Sequence, residues 1–273
     1  MTEGQRRSAL SNLEPSDIKA AAAELYQAQE NRIPIAPLTG RYDGLDANGA
    51  YEIQLHNIAR RLGTGRVVKG HKVGLSARAM QELLGVNEPD YGHLLDDMFC
   101  FESEPIDTSR FLQPRVEIEV AFVLGTSLVG PGVTVADVLR ATEFVLPSIE
   151  IVDSRVAEWR IQLADTIADN ASSGAVVLGG SPSLVADLED LRLIGATLRA
   201  NGQLREAGAS GAVLGNPAVA VAWLANKVSA FGVSLDPGHV IMPGSCTRMI
   251  PVTAGDVVRA DFDGLGHVTA VFA

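Results

Sequence analysis

Apolar residues along this chain recur first at helical spacing and then, past about residue 65, at strand spacing. In the first part, "PSDIKAAAAELYQAQENR" offers Ser16 or Asp17 as an N-cap ahead of an alanine-rich run. A second helix is predicted by "DANGAYEIQLHNIARRLG", where Tyr51, Leu55, Ile58 and Leu62 share a face before Gly63 ends it. Tyr51 and the leucines are expected in the core. Between the two, "NRIPIAPLTGRYDGL" is a connection punctuated by Pro and Gly.

From "RVVKGHKVGLS" onward the period shortens, and strands are predicted at 67–73, 116–124, 145–152, 175–178, 196–199, 240–242, 257–262 and 268–272. Ser76 is placed to cap a short helix, "ARAMQELLG", ended by Gly85. Asn201-Gly202 and Asp263-Gly264 are hairpin signals, and Asn216, Pro217 and Gly232 bracket a helix over "AVAVAWLANKVSAF". Strands outnumber helices and do not alternate with them, so neither a Rossmann fold nor a (β/α)8 barrel fits. The expected organisation is α+β, with a small helical N-terminal region over 1–65 and a mixed β-rich catalytic domain over 66–273.

With 273 residues, 47% hydrophobic and 20% charged, the chain can bury a sizeable core. It has no apolar run long enough to span a bilayer, and "MTEGQRRSALSNLEPSD" lacks the apolar stretch of a signal peptide, so a cytoplasmic protein without a membrane partner is expected. Cys100 and Cys246 match no metal-binding spacing and are expected as reduced thiols. A net charge of −11 argues against a nucleic-acid partner and repels anionic substrates at long range, so an anion must be captured locally.

Chemistry enters with "PRVEIEVAFVLG". Alternation puts Glu117, Glu119, Ala121 and Val123 on one strand face, within a segment otherwise apolar on both. Two carboxylates roughly 6.6 Å apart repel by about 2.5 kcal/mol at an effective dielectric near 20. A basic partner, a shared proton or a divalent cation would offset this, and a solvated edge strand would avoid it. Glu150 repeats the puzzle in "VLPSIEIVDSR", where pairing with Arg155 or Arg115 is the simple solution. One Mg²⁺ or Mn²⁺ explains all three acids together, whereas zinc suits them less because no histidine lies beside them.

Lys72 alternates with Val68, Gly70 and Gly74, small positions that leave room for a ligand, and a buried lysine there could polarise a carbonyl or carry a proton. On its segment alone a surface lysine is the plainer reading, and Lys69 and His71 fall on the opposite face. Asp90, after a proline in "NEPDYGHLLDDM", reads as a turn residue. "DTIADNASSG" is a polar connection, and in "MPGSCTRM" Gly244 and Ser245 could offer donors to a carboxylate. No phosphate loop, G-x-S-x-G elbow or H-E-x-x-H is present.

In order and spacing, "GHKVGLS", "GVNEPDYGHLLDDM", "PRVEIEVAFVLG", "VLPSIEIVDSR" and "DTIADNASSG" resemble the motif set of the 2-hydroxypenta-2,4-dienoate hydratases. These are metal-dependent enzymes of aromatic and steroid meta-cleavage pathways in the fumarylacetoacetate hydrolase superfamily. The resemblance runs from about Ile35 to the C-terminus. It implies the superfamily's mixed β-roll, Mg²⁺ or Mn²⁺ on Glu117, Glu119 and Glu150, and Lys72 with Asp90 as the catalytic pair. Leu75, Ser76, Asn170, Ser172, Gly244 and Ser245 become candidate substrate contacts. It further implies a homo-oligomer, pentamer or decamer, with a downstream aldolase or a sibling decarboxylase as candidate partners.

One departure is "GLSARAM", where Ser76 and Ala77 stand in place of the Thr and Ser or His of many relatives, which bears on the substrate's distal end. The expected reaction is water addition to 2-hydroxypenta-2,4-dienoate or a 5-alkyl analogue, giving a 4-hydroxy-2-oxo acid. The alternative on the same site is 4-oxalocrotonate-type decarboxylation. A C–C hydrolase would need a His/Glu dyad that is not evident, and a non-catalytic scaffold subunit would have no use for Lys72 and Asp90. In "GHKVGLS" and "PDYGHLLDDM" no extra basic residue suggests a seat for a second carboxylate, which favours hydration.

Overall fold

A computed structural model describes residues 12–77, 81–82, 86 and 88–273. Most of the helix expected over "ARAMQELLG" lies outside the described residues. The chain opens with α1 (Pro15–Asn31) and α2 (Ala47–Gly63), followed by β1 (Val68–Gly74), β2 (Asp90–Leu95), β3 (Phe99–Cys100) and β4 (Arg115–Leu124). Next come α3 (Val135–Ala141), β5 (Thr142–Val152), α4 (Leu163–Ala168), β6 (Ser173–Leu178), β7 (Gly195–Ala200) and β8 (Gln203–Ala209). The last part holds α5 (Pro217–Val228), β9 (Val240–Met242), β10 (Ile250–Pro251), β11 (Val257–Phe262) and β12 (Gly266–Val271).

The helix ends follow local chemistry, with one shift. Glu14 occupies the N-cap of α1 without a side-chain bond, and Pro15 supplies the first turn, so Ser16 and Asp17 lie inside the helix. Asp46 caps α2 by accepting from the Gly49 N–H, and Asn216 caps α5 by accepting from Ala218. Tyr51 is buried as expected, whereas Leu55 is half-buried and Leu62, on the last turn, is 41% exposed.

Among the described residues the main sheet runs β2-β1-β9-β4-β5-β6-β3, with β10 paired to β4. Strands β1 and β9 are parallel, whereas β1–β2, β9–β4, β4–β5 and β5–β6 are antiparallel. A second sheet, β12-β11-β7-β8, packs against β5 and β6, and the two longest strands, β4 and β5, are buried over most of their length. That burial is why β4 and β5 read as nearly continuous apolar runs. Asn201 and Gly202 both adopt positive φ in the β7–β8 turn, as a type I′ hairpin requires.

Strand β2 corrects the loop expected around Asp90. All six of its residues are buried, so the alternation that marks a half-exposed strand is absent, and Asp, Gly and His are poor strand formers. The apolar core is continuous across the chain, joining Leu25, Tyr51 and Ile53 of the first helices to Val73, Ile118 and Ile149 of the sheet. No described helix is long and apolar enough to cross a membrane.

Candidate active site

Strand register brings the three acids together. Glu117 lies directly opposite Glu150 on the β4–β5 ladder, and Glu119, one step along the same face, lies opposite Ser148. One carboxylate oxygen from each falls within 4.8 Å of the others. Glu119 and Glu150 are fully buried and Glu117 is half-buried, which removes the solvated-edge explanation. Ordinary partners account for them only in part, since Glu119 Oε1 and Glu150 Oε2 have no partner and Glu150 Oε1 has only the ammonium of Lys72, 3.1 Å away. Glu119 Oε2 accepts from the Gly244 N–H at 2.7 Å.

The electrostatics reflect that deficit. Burial and then the charge of Glu150 push Glu117 up to about 7. Burial, then Glu150 and Glu117, hold Glu119 well above the usual carboxylate range, and burial raises Glu150 against the pull of Lys72. Such a set of converging hard oxygens with unserved lone pairs fits a divalent cation.

Lys72 is not a surface residue: it is 2% exposed and its Nζ lies 3.1 Å from Glu150 Oε1. Glu150 therefore pairs with Lys72, while Arg155 pairs with Asp169 and Arg115 stacks on Trp159. Lys72 Nζ also donates to the Ala171 carbonyl at 2.8 Å. Burial would lower its pKa, but Glu150, Asp90, Glu117 and Glu119 together raise it, so the side chain stays an ammonium. His71 points to the other face, beside the rings of His93 and His239.

The small residues beside Lys72 make room for protein rather than ligand. A Cβ on Gly74 would stand 2.1 Å from Asp90 Oδ1 and 3.3 Å from Lys72 Nζ, and one on Gly70 would strike the Val240 carbonyl oxygen at 1.9 Å. Asp90 Oδ2 accepts from Thr166 Oγ1 at 2.6 Å, and its buried Oδ1 has no partner. A cross-strand pair, Gly74 with Asp90, thus sets the carboxylate against the lysine.

These groups open onto a cavity of about 320 Å³. Leu75, Ser76, Ser172 and Ser245 line it, and Ser172 Oγ is buried without a hydrogen-bond partner. Ser245 Oγ is engaged in its own turn, donating to Thr247 O at 2.8 Å. Two candidates lie elsewhere. Both ends of the Asn170 amide bind the backbone of His93, and the Gly244 N–H is taken by Glu119. Left-handed backbone at Leu75, Trp159, Ala171 and Ser172 gathers at the cavity wall, with a cost on the order of 1–3 kcal/mol per residue.

The wall also contains Arg115, Trp159 and Arg248, which come from outside the two segments, "GHKVGLS" and "PDYGHLLDDM", in which no seat for a second carboxylate was expected. For Arg115 the signal lay in the sequence, because it precedes Glu117 by one strand repeat and so shares its face. Trp159 had no such signal, since it arrives from a short turn after β5.

A sequence profile described as fumarylacetoacetate (FAA) hydrolase C-terminal matches residues 72–273. The chain is 40% identical over 257 residues to the 2-oxo-hept-4-ene-1,7-dioate hydratase of Escherichia coli, covering 92% of this chain and 96% of that one. To the 2-keto-4-pentenoate hydratase of Paraburkholderia xenovorans (strain LB400) it is 43% identical over 258 residues, covering 94% and 96%. Its fold is similar to that of the 4-oxalocrotonate decarboxylase of Pseudomonas putida G7 complexed with magnesium and adipate. The TM-score there is 0.91 at 32% identity, over 97% of this chain and 100% of that one.

Proposed function

The chain belongs to the fumarylacetoacetate hydrolase family, among its 2-keto-4-pentenoate hydratases, and from that premise we propose that it adds water to a 2-hydroxy-2,4-dienoate. The observation that carries this reading is the triad of Glu117, Glu119 and Glu150, which meets the cavity at Glu117 beside Lys72 and Asp90. The triad would hold Mg²⁺ or Mn²⁺, whose preference for hard oxygen donors matches three carboxylates. When bound, the cation supplies a Lewis acid that stabilises negative charge developing on the substrate's 2-oxygen.

The chain's own groups handle the protons. In the first stage the dienol loses its 2-hydroxyl proton and gains one at C5, which gives the conjugated 2-oxo-3-ene. In the second, a water oxygen bonds to C4 while C3 takes a proton. Lys72 has three donors, of which Ala171 and Glu150 occupy two, leaving one for the substrate. Asp90 keeps one carboxylate oxygen free beside that ammonium, placed to receive a proton from the attacking water or to orient Lys72.

The second reading is decarboxylation of 4-oxalocrotonate, favoured by the solved decarboxylase at 32% identity, while the relatives at 40 and 43% identity carry hydratase names. Reaction in labelled water separates the two. Hydration places one labelled oxygen at C4 of a 4-hydroxy-2-oxo acid with Mg²⁺ or Mn²⁺ present, and a higher kcat/KM for CO₂ release from 4-oxalocrotonate would overturn it. We read the protein as a cytoplasmic homo-oligomer, pentameric or decameric, which sedimentation would test.

A further inference from the structure

Resting on the hydratase reading, we propose that Gln54 is a positioning residue for Asp90, which makes the N-terminal helical region part of the catalytic unit. Gln54 lies outside residues 72–273, which the family profile matches. It sits on the buried face of α2 among Ala50, Tyr51, Ile53 and Ile58, and is 1% exposed. An amide in that company is costly unless bonded, and this one bonds to two separate elements of the remaining chain. Its Nε2 donates to the Tyr91 carbonyl of β2 at 2.9 Å and to the Ile167 carbonyl of α4 at 2.6 Å. Both amide protons are then in use, so Oε1 is the acceptor and His93 Nδ1, 2.8 Å away, is the donor.

The choice of carbonyls gives these bonds a role beyond packing. Tyr91 follows Asp90 and Ile167 follows Thr166, and it is Thr166 Oγ1 that donates to Asp90 Oδ2 at 2.6 Å. One amide nitrogen therefore fixes the spacing of the two backbones between which that bond is made. Tyr51, one turn earlier on the same face of α2, packs its ring on that of Tyr91 with centroids 4.8 Å apart. Helix α2 thus holds the residue after Asp90 by its side chain and by its backbone.

The bond from Thr166 decides how Asp90 faces. With Oδ2 taken, Oδ1 is the oxygen left without a partner beside Lys72. His93, held through its ring by Gln54, is held through its backbone by Asn170, whose neighbour Ala171 receives Lys72 Nζ. Both members of the Lys72–Asp90 pair are set by groups that Gln54 braces, while Gln54 itself stands behind the cavity wall.

The test is steady-state hydration of 2-hydroxypenta-2,4-dienoate by the full chain with Mg²⁺, in wild type, Gln54→Met, Thr166→Val and the double variant. Gln54→Met keeps the length of the side chain and removes all three bonds. It should lower kcat by about tenfold or more with KM and Mg²⁺ affinity unchanged, because a misplaced reacting group costs rate and not binding. Thr166→Val should do the same, and the double variant should lose little beyond the worse single one, since both break one chain of contacts. Losses that multiply, a Thr166→Val of wild-type turnover, or a Gln54→Met that keeps kcat or changes KM as much as kcat would overturn the proposal and leave Gln54 as a packing tie. Mg²⁺ titration counts the folded sites, so a poor yield of folded protein is not mistaken for a slower reaction. If Gln54→Met does not fold, Gln54→Asn, which keeps the amide on a shorter stem, is read in its place. A wild type that does not hydrate the dienoate would sink the hydratase reading first and this one with it.

Discussion

Glu150 and Arg155 stand close together in sequence, yet they belong to buried charge clusters of opposite character. Around Arg155 every demand is met inside the protein. Its Nε donates to Asp169 Oδ1, its terminal nitrogens to the Asp169 and Ser173 carbonyls, and its backbone N–H to Asp169 Oδ2. Burial still raises Asp169 to about 6, but Arg155 keeps it ionised at neutral pH. Around Glu150, three carboxylates share one ammonium, Glu119 Oε1 and Glu150 Oε2 have no partner, and Glu150 Oε1 has only that ammonium. The closed cluster holds the chain together, and the open one is unfinished without a ligand.

The sharpest way to break this contrast is to neutralise one acid in each cluster. Glu119→Gln should abolish tight Mg²⁺ binding and lower turnover on the order of 10³-fold, the scale of losing several kcal/mol of Lewis-acid stabilisation. The metal-free variant should be no less stable than wild type, because a neutral amide replaces a buried acid whose charged form the site disfavours. Calorimetric Mg²⁺ titration beside chemical denaturation reads both, and unchanged metal affinity would sink the assignment.

Asp169→Asn should do the reverse. Removing one partner of a buried ion pair leaves Arg155 uncompensated and costs about 3–5 kcal/mol, with Mg²⁺ affinity unchanged. A variant of wild-type stability in urea would show that the closed cluster is no clamp.

The same contrast explains how much was legible in the sequence. Strand alternation put Glu117 and Glu119 on one face before any fold was known, and β4 folds that way because its side chains have no other choice. Asp90 was legible as a residue but not as a strand, since β2 is buried along its whole length and carries no period. Lys72 could not be told from a surface lysine, because what buries it comes from residues around Ala171 and Glu150. Asn170 and Gly244 lay in the right segments, but the backbone of His93 and the carboxylate of Glu119 engage them. Pairing across long sequence separation decides such cases, and no local pattern reports it.

Within the open cluster, Lys72 and the acids should separate by what they act on. Lys72→Met should lower turnover by about 10²-fold, the usual scale for a general acid or base, without weakening Mg²⁺ binding. Stopped-flow turnover beside metal titration checks it, and near-normal turnover would return Lys72 to a purely structural role as the counter-ion of Glu150.

The smallest effect is a proton linkage. Glu117 titrates at about 7 in the folded, metal-free protein against an ordinary value of 4.5, so across that window the folded chain binds more protons than the unfolded one. Stability must then fall as pH rises through the window, and Glu119, held well above the usual carboxylate range by burial and its neighbouring acids, adds a fall of the same sign. Asp169, raised to about 6, adds a slope of the same sign at lower pH that a cation at the triad does not touch. Because a cation binds the deprotonated acids, its stabilising effect should grow from about pH 6 to about pH 8, reaching about 2.7 kcal/mol at a hundredfold excess over Kd. Melting curves with and without Mg²⁺ across that range measure the growth. A gain that is constant with pH, or that persists in Glu119→Gln, would mean that the cation binds somewhere other than the three glutamates.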